Sequence, residues 1–413
     1  MKRIIPIIFL LVLCASSSLA QEKDLLQKLL AKHPEHFENI FAQPEKYQAQ
    51  VLYTQINRDE NNVPTFVTYS MGVDENRYFY PASTVKMPTA FLALEKINQL
   101  NLIGLDKETP MLTGAGRSPQ TAALNDPSAE NGLPSVAHYV KKIFLVSDND
   151  AYNRLYEFLG QADLNESLQA KGFEQTRIWH RLSVGGFDVE GNRYTNPVSF
   201  LQDNQLVYHQ GERYSSDHKK WQLEDEIRGV ARMTNEGVTL AEPFNFSTKN
   251  YISLPDLNTM LQTVLFPESV PKNTRFQLTA EDYQLLYRAM SMRPKESQSP
   301  KYEDKADNYV KFFIYGDTKD SIPDHIRIFN KVGWAYGFLT DVSYIIDLKN
   351  NVEFMVAASI HVNENQTYND GVYEYETIGL PYFGALGRIL YDYERKRKRA
   401  FTPDLSRFRL NYD

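Results

Sequence analysis

Ser83 and Lys86 are three residues apart at the start of a segment that reads as a helix, in the run Ser83-Thr84-Val85-Lys86. On a helix that spacing puts both side chains on one face, one turn apart, so the amine can reach the hydroxyl. A serine hydroxyl is a weak nucleophile until a base takes its proton. A lysine serves as that base when burial or a neighbouring cation lowers its pKa. The first turn of a helix also offers backbone N–H groups to a developing oxyanion. The same pair equally suits a helix-capping serine beside a solvated lysine. The spacing recurs at Ser216-Asp217-His218-Lys219, in a polar stretch with no helical stripe, and reads there as coincidence. Two further clusters stand out. Ser147-Asp148-Asn149 separates two short helical patterns, a position suited to projection into a cleft or to capping the second helix. Lys331-Val332-Gly333 lies at the junction of a strand pattern and a turn.

Taken in order, these three clusters resemble the class A β-lactamase family of the penicillin-recognising serine hydrolases, which carries Ser-x-x-Lys, Ser-Asp-Asn and Lys-Thr-Gly. Met87-Pro88 follows the first cluster, as often in that family. The resemblance spans roughly residues 45 to 395 and implies roles. Ser83 is the acylated nucleophile, Lys86 the base or a relay to it, and Ser147 the group that returns a proton to the leaving nitrogen. Asn149 holds the substrate's side-chain amide, and Lys331 attracts a carboxylate and helps keep Lys86 neutral. Gly333 leaves the strand edge bare for a substrate to lie along. The backbone N–H groups of Ser83 and Trp334 form the oxyanion hole.

Two departures qualify the resemblance. Val332 stands where the family has a hydroxyl residue, so one hydrogen bond to a substrate carboxylate is lost. Such a charge-assisted bond is worth roughly 1.5–3 kcal/mol, or about tenfold or more in affinity. The family also carries Glu-x-x-Leu-Asn, whose Glu activates the water that frees the acylated serine. None of the pairs Leu100-Asn101, Leu124-Asn125, Leu164-Asn165, Leu257-Asn258 and Leu410-Asn411 has Glu three residues before the Leu. In the stretch where that loop should fall, His180, Asp188 and Glu190 are the groups able to act as a base, and each also suits a structural role. Without such a base an acyl-enzyme would persist.

The elements that must position these residues follow from periodicity. Leu25, Leu26, Leu29 and Leu30 predict a helix within residues 21 to 40. Gln50 to Ile56 and Thr65 to Met71 predict a hairpin. Helices are predicted over Thr84 to Leu100, Val136 to Leu145, Ala151 to Leu159 and Leu254 to Leu265, the last with Pro255 in its first turn. Strands are predicted over Ile326 to Lys331, Thr340 to Ile346 and Val352 to Ile360, then a closing helix over Leu380 to Arg399. The fold class expected is α/β, two-lobed and β-lactamase-like: an antiparallel sheet flanked by N- and C-terminal helices, with an inserted all-helical lobe. The expected division is a signal at 1–20, a sheet domain of 21–80 with 320–400, a helical domain of 81–319 with an insertion at 205–250, and a tail at 401–413.

Lys2 and Arg3, the apolar run Ile4 to Leu13 and Ser18-Leu19-Ala20 read as an export signal, too short to span a bilayer. Cys14 is the only cysteine and lies inside it. Leu13 is bulky for the residue before a lipidated cysteine, so cleavage at Ala20 is preferred over lipidation. The 413 residues include 45 basic and 52 acidic ones, and losing Lys2 and Arg3 with the signal leaves 43 against 52. A mildly acidic chain makes a poor generic nucleic-acid binder, so no nucleic-acid partner is expected. No metal-ligand spacing and no cofactor loop occurs, so neither a metal nor a cofactor is expected. The 26 Tyr and 23 Phe could line a glycan cleft, though strand and core packing account for most of them. The expectation is a periplasmic or secreted, monomeric serine hydrolase without a stable membrane span, taking a small-molecule or peptidoglycan-like substrate, with β-lactams the class implied by resemblance. One rival is a D-alanyl peptidase, amidase or esterase acting on envelope material. The other is a catalytically idle envelope-binding protein.

Overall fold

Side chains that alternate between two apolar faces build the sheet on which the site depends. Strands β1 (Gln50–Arg58), β2 (Pro64–Met71), β3 (Ile326–Ala335), β4 (Phe338–Asp347) and β5 (Val352–His361) lie in the order β3-β4-β5-β1-β2, with every neighbouring pair antiparallel. Nearly all residues of β3, β4 and β5 are buried, because both faces of the sheet are covered. Phe329, Val342, Tyr344, Met355 and Ala357 face a helical lobe. Ile328, Val332, Ile345, Phe354 and Val356 face a second layer. That layer is made of helices from the two ends of the chain. This is the period-two pattern of a strand packed on both sides. The computed structural model describes residues 25–217 and 221–412, so the export-signal reading of residues 1–20 and the His218-Lys219 half of the second Ser-x-x-Lys lie outside the described residues.

The second layer contains α1 (Leu25–Leu30), α2 (Pro34–Phe41) and the closing helix, which spans Leu380–Lys396. The expected single helix within 21–40 is two: Pro34 cannot continue α1 and instead sits at the first position of α2. The closing helix ends three residues earlier than expected. Arg397 and Arg399 turn back onto the buried Glu394, which also accepts from the Tyr53 hydroxyl.

The excursion between β2 and β3 holds α3 (Lys86–Leu100), α4 (Val136–Val146), α5 (Asn149–Leu159), α6 (Gln161–Ala170), α7 (Leu254–Leu265) and α8 (Ala280–Ser291). Helix α7 falls where expected, capped by the Ser253 hydroxyl. Helices α6 and α8 had not been assigned, although α8 starts with a Thr279/Asp282 capping box. The all-helical expectation for this lobe is corrected: short strands are threaded through it. Val198–Gln202 and Gln205–Gln210 form a hairpin through Asp203 and Asn204, both at positive φ. Asx residues tolerate that conformation, which is what a two-residue hairpin turn requires. Residues 205–217 and 221–250 contain further short strands separated by loops. Near the C-terminus Leu405 and Phe408 are buried, and the Phe408 ring meets Phe329 and Tyr344 beneath the sheet. Among the described residues no helix is long and apolar enough to cross a membrane.

Candidate functional site

Ser83 sits not in α3 itself but in the 3₁₀ turn Ala82–Val85 that leads into it. The expected helix from Thr84 therefore begins two residues late. Ala82 adopts φ 46°, a left-handed conformation that is costly for a residue with a Cβ. It is held there because the turn closes on Pro81: the Thr84 N–H and hydroxyl both donate to the Pro81 carbonyl, at 3.0 and 2.7 Å. The turn is pressed against the edge strand β3. A Cβ on Gly333 would lie 2.4 Å from the Pro81 oxygen and 2.9 Å from the Ser83 nitrogen. Only glycine lets the strand edge and the Ser83 backbone approach so closely.

The Ser-Asp-Asn cluster owes its shape to two helix ends. Ser147 takes φ 58° and ends α4, while the Asp148 carboxylate accepts the Ala151 N–H at 2.8 Å and starts α5. Reversal within two residues turns Ser147 inward. Lys86 reaches it from α3, donating to the Ser147 carbonyl, to Ser147 Oγ at 3.2 Å and to Asn149 Oδ1 at 2.7 Å. Lys331 reaches the same hydroxyl from β3, donating to Ser147 Oγ at 2.9 Å and to the Val332 carbonyl at 2.8 Å. Two amines thus converge on one hydroxyl.

Both lysines are buried. Burial pushes the Lys86 amine down to about 7, against the pull of the Asp148 carboxylate. Burial, and then the neighbouring Lys86, hold Lys331 well below the usual lysine range. An uncharged amine beside a hydroxyl is a base, and burial is what favours the uncharged form of Lys86. Ser83, Ser147, Asn149, Gly333 and Trp334 line one cleft of about 880 Å³, with Lys86 and Lys331 immediately behind it. Trp334 is 43% exposed, its ring stacked between Phe312 at 5.3 Å and Tyr375 at 6.0 Å.

The three bases suggested for the missing glutamate do not reach this cleft. His180 is locked in place: Nδ1 bonds the Arg181 carbonyl, Nε2 accepts the Asn250 N–H at 3.2 Å, and the ring stacks on Tyr80. Burial, and then the nearby Lys249 charge, push its imidazole down to about 3. Asp188 accepts the Gly191 N–H, and Glu190 faces Arg193 at 3.6 Å. His180 and Asp188 instead line a second cavity of about 1200 Å³, which meets the cleft at Tyr80, Leu182, Ser183 and Tyr336. Among the described residues lining the cleft, Asp148 is the only acid, and it is occupied as a helix cap.

Several cleft residues carried no sequence signal. Tyr302, Lys305, Tyr309 and Phe312 come from an irregular segment before β3, and Tyr336 from the turn after it. The abundance of Tyr and Phe was the one hint, and it did not say which of them reach the cleft.

Comparison with known proteins agrees with this architecture. The model of the β-lactamase enzyme family matches residues 34–225. The solved structure of PBP-A has 17% sequence identity and a TM-score of 0.51, covering 91% of this chain and 97% of that one. A PBP-A point mutant in an acyl-enzyme complex with penicillin G has 16% identity and a TM-score of 0.49, covering 92% and 98%. A β-lactamase from Sphaerobacter thermophilus has 13% identity and a TM-score of 0.47, covering 87% and 95%. No curated protein sequence matches.

Proposed function

We infer that this chain, whose family match and fold support a β-lactamase or penicillin-recognising family, is an exported serine hydrolase that acylates Ser83 with a β-lactam or a related amide and deacylates slowly. The observation that carries this reading is the meeting of Lys86 and Lys331 at the Ser147 hydroxyl, beside Ser83 in one cleft. Neutral Lys86 takes the Ser83 proton as the Oγ–C bond forms. The C–N bond then breaks, and the leaving nitrogen receives a proton passed through Ser147. The N–H groups of Ser83 and Trp334 stabilise the oxyanion, and Asn149 and the β3 edge hold the substrate.

Slow release follows from the lining. Deacylation needs a base for water on the far side of the ester, and Asp148, the cleft's one acid among the described residues, is already bonded to the Ala151 N–H. An acyl-enzyme formed here outlives the acylation step, as in a penicillin-binding protein.

Purified protein incubated with penicillin and with a chromogenic cephalosporin tests this by intact mass and turnover. The expected result is a mass increase equal to the whole β-lactam, persisting after the free drug is removed and absent in Ser83→Ala. Rapid turnover without an adduct would contradict the slow-release reading. Neither turnover nor adduct would favour the idle binding protein, or an enzyme for an unrelated ester or amide.

A further inference from the structure

Resting on the reading of Ser83 as an acylated nucleophile, we propose that the part of the cleft beside Lys331 and Val332 selects substrates that are uncharged next to the scissile bond and carry an aromatic ring there, not carboxylates.

Four lysines surround this region, and their side-chain nitrogens are largely engaged. Lys86 has three acceptors, on Ser147 and Asn149. Lys311 lies beneath β3 and donates to the Met290 carbonyl, the Ile328 carbonyl and Asn330 Oδ1, at 2.6, 2.8 and 2.6 Å. Lys331 donates to Ser147 Oγ and to the Val332 carbonyl, and the residue is 2% exposed. Lys305, at the rim, is paired with Asp304 at 2.8 Å and lies over the Tyr309 ring. No arginine lines the cleft among the described residues.

On the side of Val332, the cleft is lined mainly by apolar and aromatic side chains. Val332 packs with Phe312 in the apolar layer under the closing helix. Phe312, Trp334 and Tyr375 form a continuous stack along the strand edge, and Tyr302 and Tyr309 line the same cleft. A carboxylate placed here meets no unpaired cation and loses its water against aromatic rings. An uncharged aromatic ring gains buried area and ring contacts.

The test uses two matched pairs, benzylpenicillin with its methyl ester and para-acetoxybenzoate with its methyl ester. A fluorophosphonate probe first reports whether Ser83 is nucleophilic. Acylation rates of Ser83 are then followed by intact mass. In each pair the methyl ester is expected to acylate at least as fast as the acid. Val332→Thr restores the hydroxyl and is expected to move both ratios about tenfold toward the acid. An acid that outruns its ester in either pair overturns the proposal, as does a fluorophosphonate-labelled protein that takes neither member of both pairs. Unchanged ratios in Val332→Thr overturn the part assigned to Val332. Failure of the fluorophosphonate to label Ser83 removes the nucleophile reading itself, a separate outcome from the wrong preference.

Discussion

Lys86 and Lys311 are both fully buried, and burial pushes both amines down to about 7. Their neighbours differ. Lys86 touches a hydroxyl and stands behind a cleft that contains a second hydroxyl, Ser83. Lys311 is ringed by two main-chain carbonyls and the Asn330 amide oxygen, and Asn330 passes the contact on to Asp341. An uncharged amine in a protein is therefore not in itself a catalytic base. The low pKa comes from removing water, which any core does. The chemistry comes from the group placed against the nitrogen and from access to it.

Changing each lysine separates these contributions. Lys86→Met should lower the rate of Ser83 acylation by about 10²–10⁴ and leave a folded protein, since a general base contributes on that scale. In the unaltered chain the same rate should rise with pH through about 7, as the Lys86 amine loses its proton. A rate flat from pH 6 to 8 would remove Lys86 from the role of base. Gly333→Ala reaches the site from the strand side. Its Cβ overlaps the Pro81 oxygen and crowds the Ser83 nitrogen, so acylation should fall about 10²–10³, the usual cost of a misplaced oxyanion donor.

Lys311→Met should instead act on stability. It leaves three buried acceptors short of a donor, and urea unfolding should show a loss of about 1–3 kcal/mol while acylation by the folded fraction changes only a few-fold. A linked effect follows from the pKa. Between about pH 7 and the ordinary lysine value of 10.5, the unfolded chain holds a proton that folded Lys311 lacks. Stability therefore climbs with pH across that window, and the climb should be shallower in the variant. Asp188→Asn and Glu190→Gln form the far end of the series. Their contacts lie away from the cleft, so acyl-enzyme lifetime should change by less than about twofold. A larger change would return one of them to the hydrolytic step.

Much of this comparison was legible before any coordinates, and some was not. Ser83, Lys86, Ser147, Asn149, Lys331 and Gly333 were singled out because their three ordered motifs resemble those of a known family; the expected strand over Ile326 to Lys331 in fact runs on through Gly333 to Ala335. The closing-helix core and the α7 boundaries followed from apolar periodicity. Lys311 was not visible, because a lysine in an irregular segment looks solvated until the segment is seen folded under β3. The short strands of 205–250 were missed because two- and three-residue pairings leave no period to read. The pairing of Arg397 and Arg399 with the buried Glu394 depends on how the chain turns after the closing helix, which no periodicity shows.

The order of motifs, the loss of the hydroxyl at Val332 and the absence of a Glu-x-x-Leu-Asn loop are properties of the chain alone, since they concern residue identity and local spacing. That Lys86 and Lys331 share the Ser147 hydroxyl, that His180 has both ring nitrogens occupied and that aromatic rings crowd the strand edge were decided by the tertiary structure. Each depends on segments tens to hundreds of residues apart being packed together. Burial then sets which amines lose their protons and which polar groups still have a bond to give.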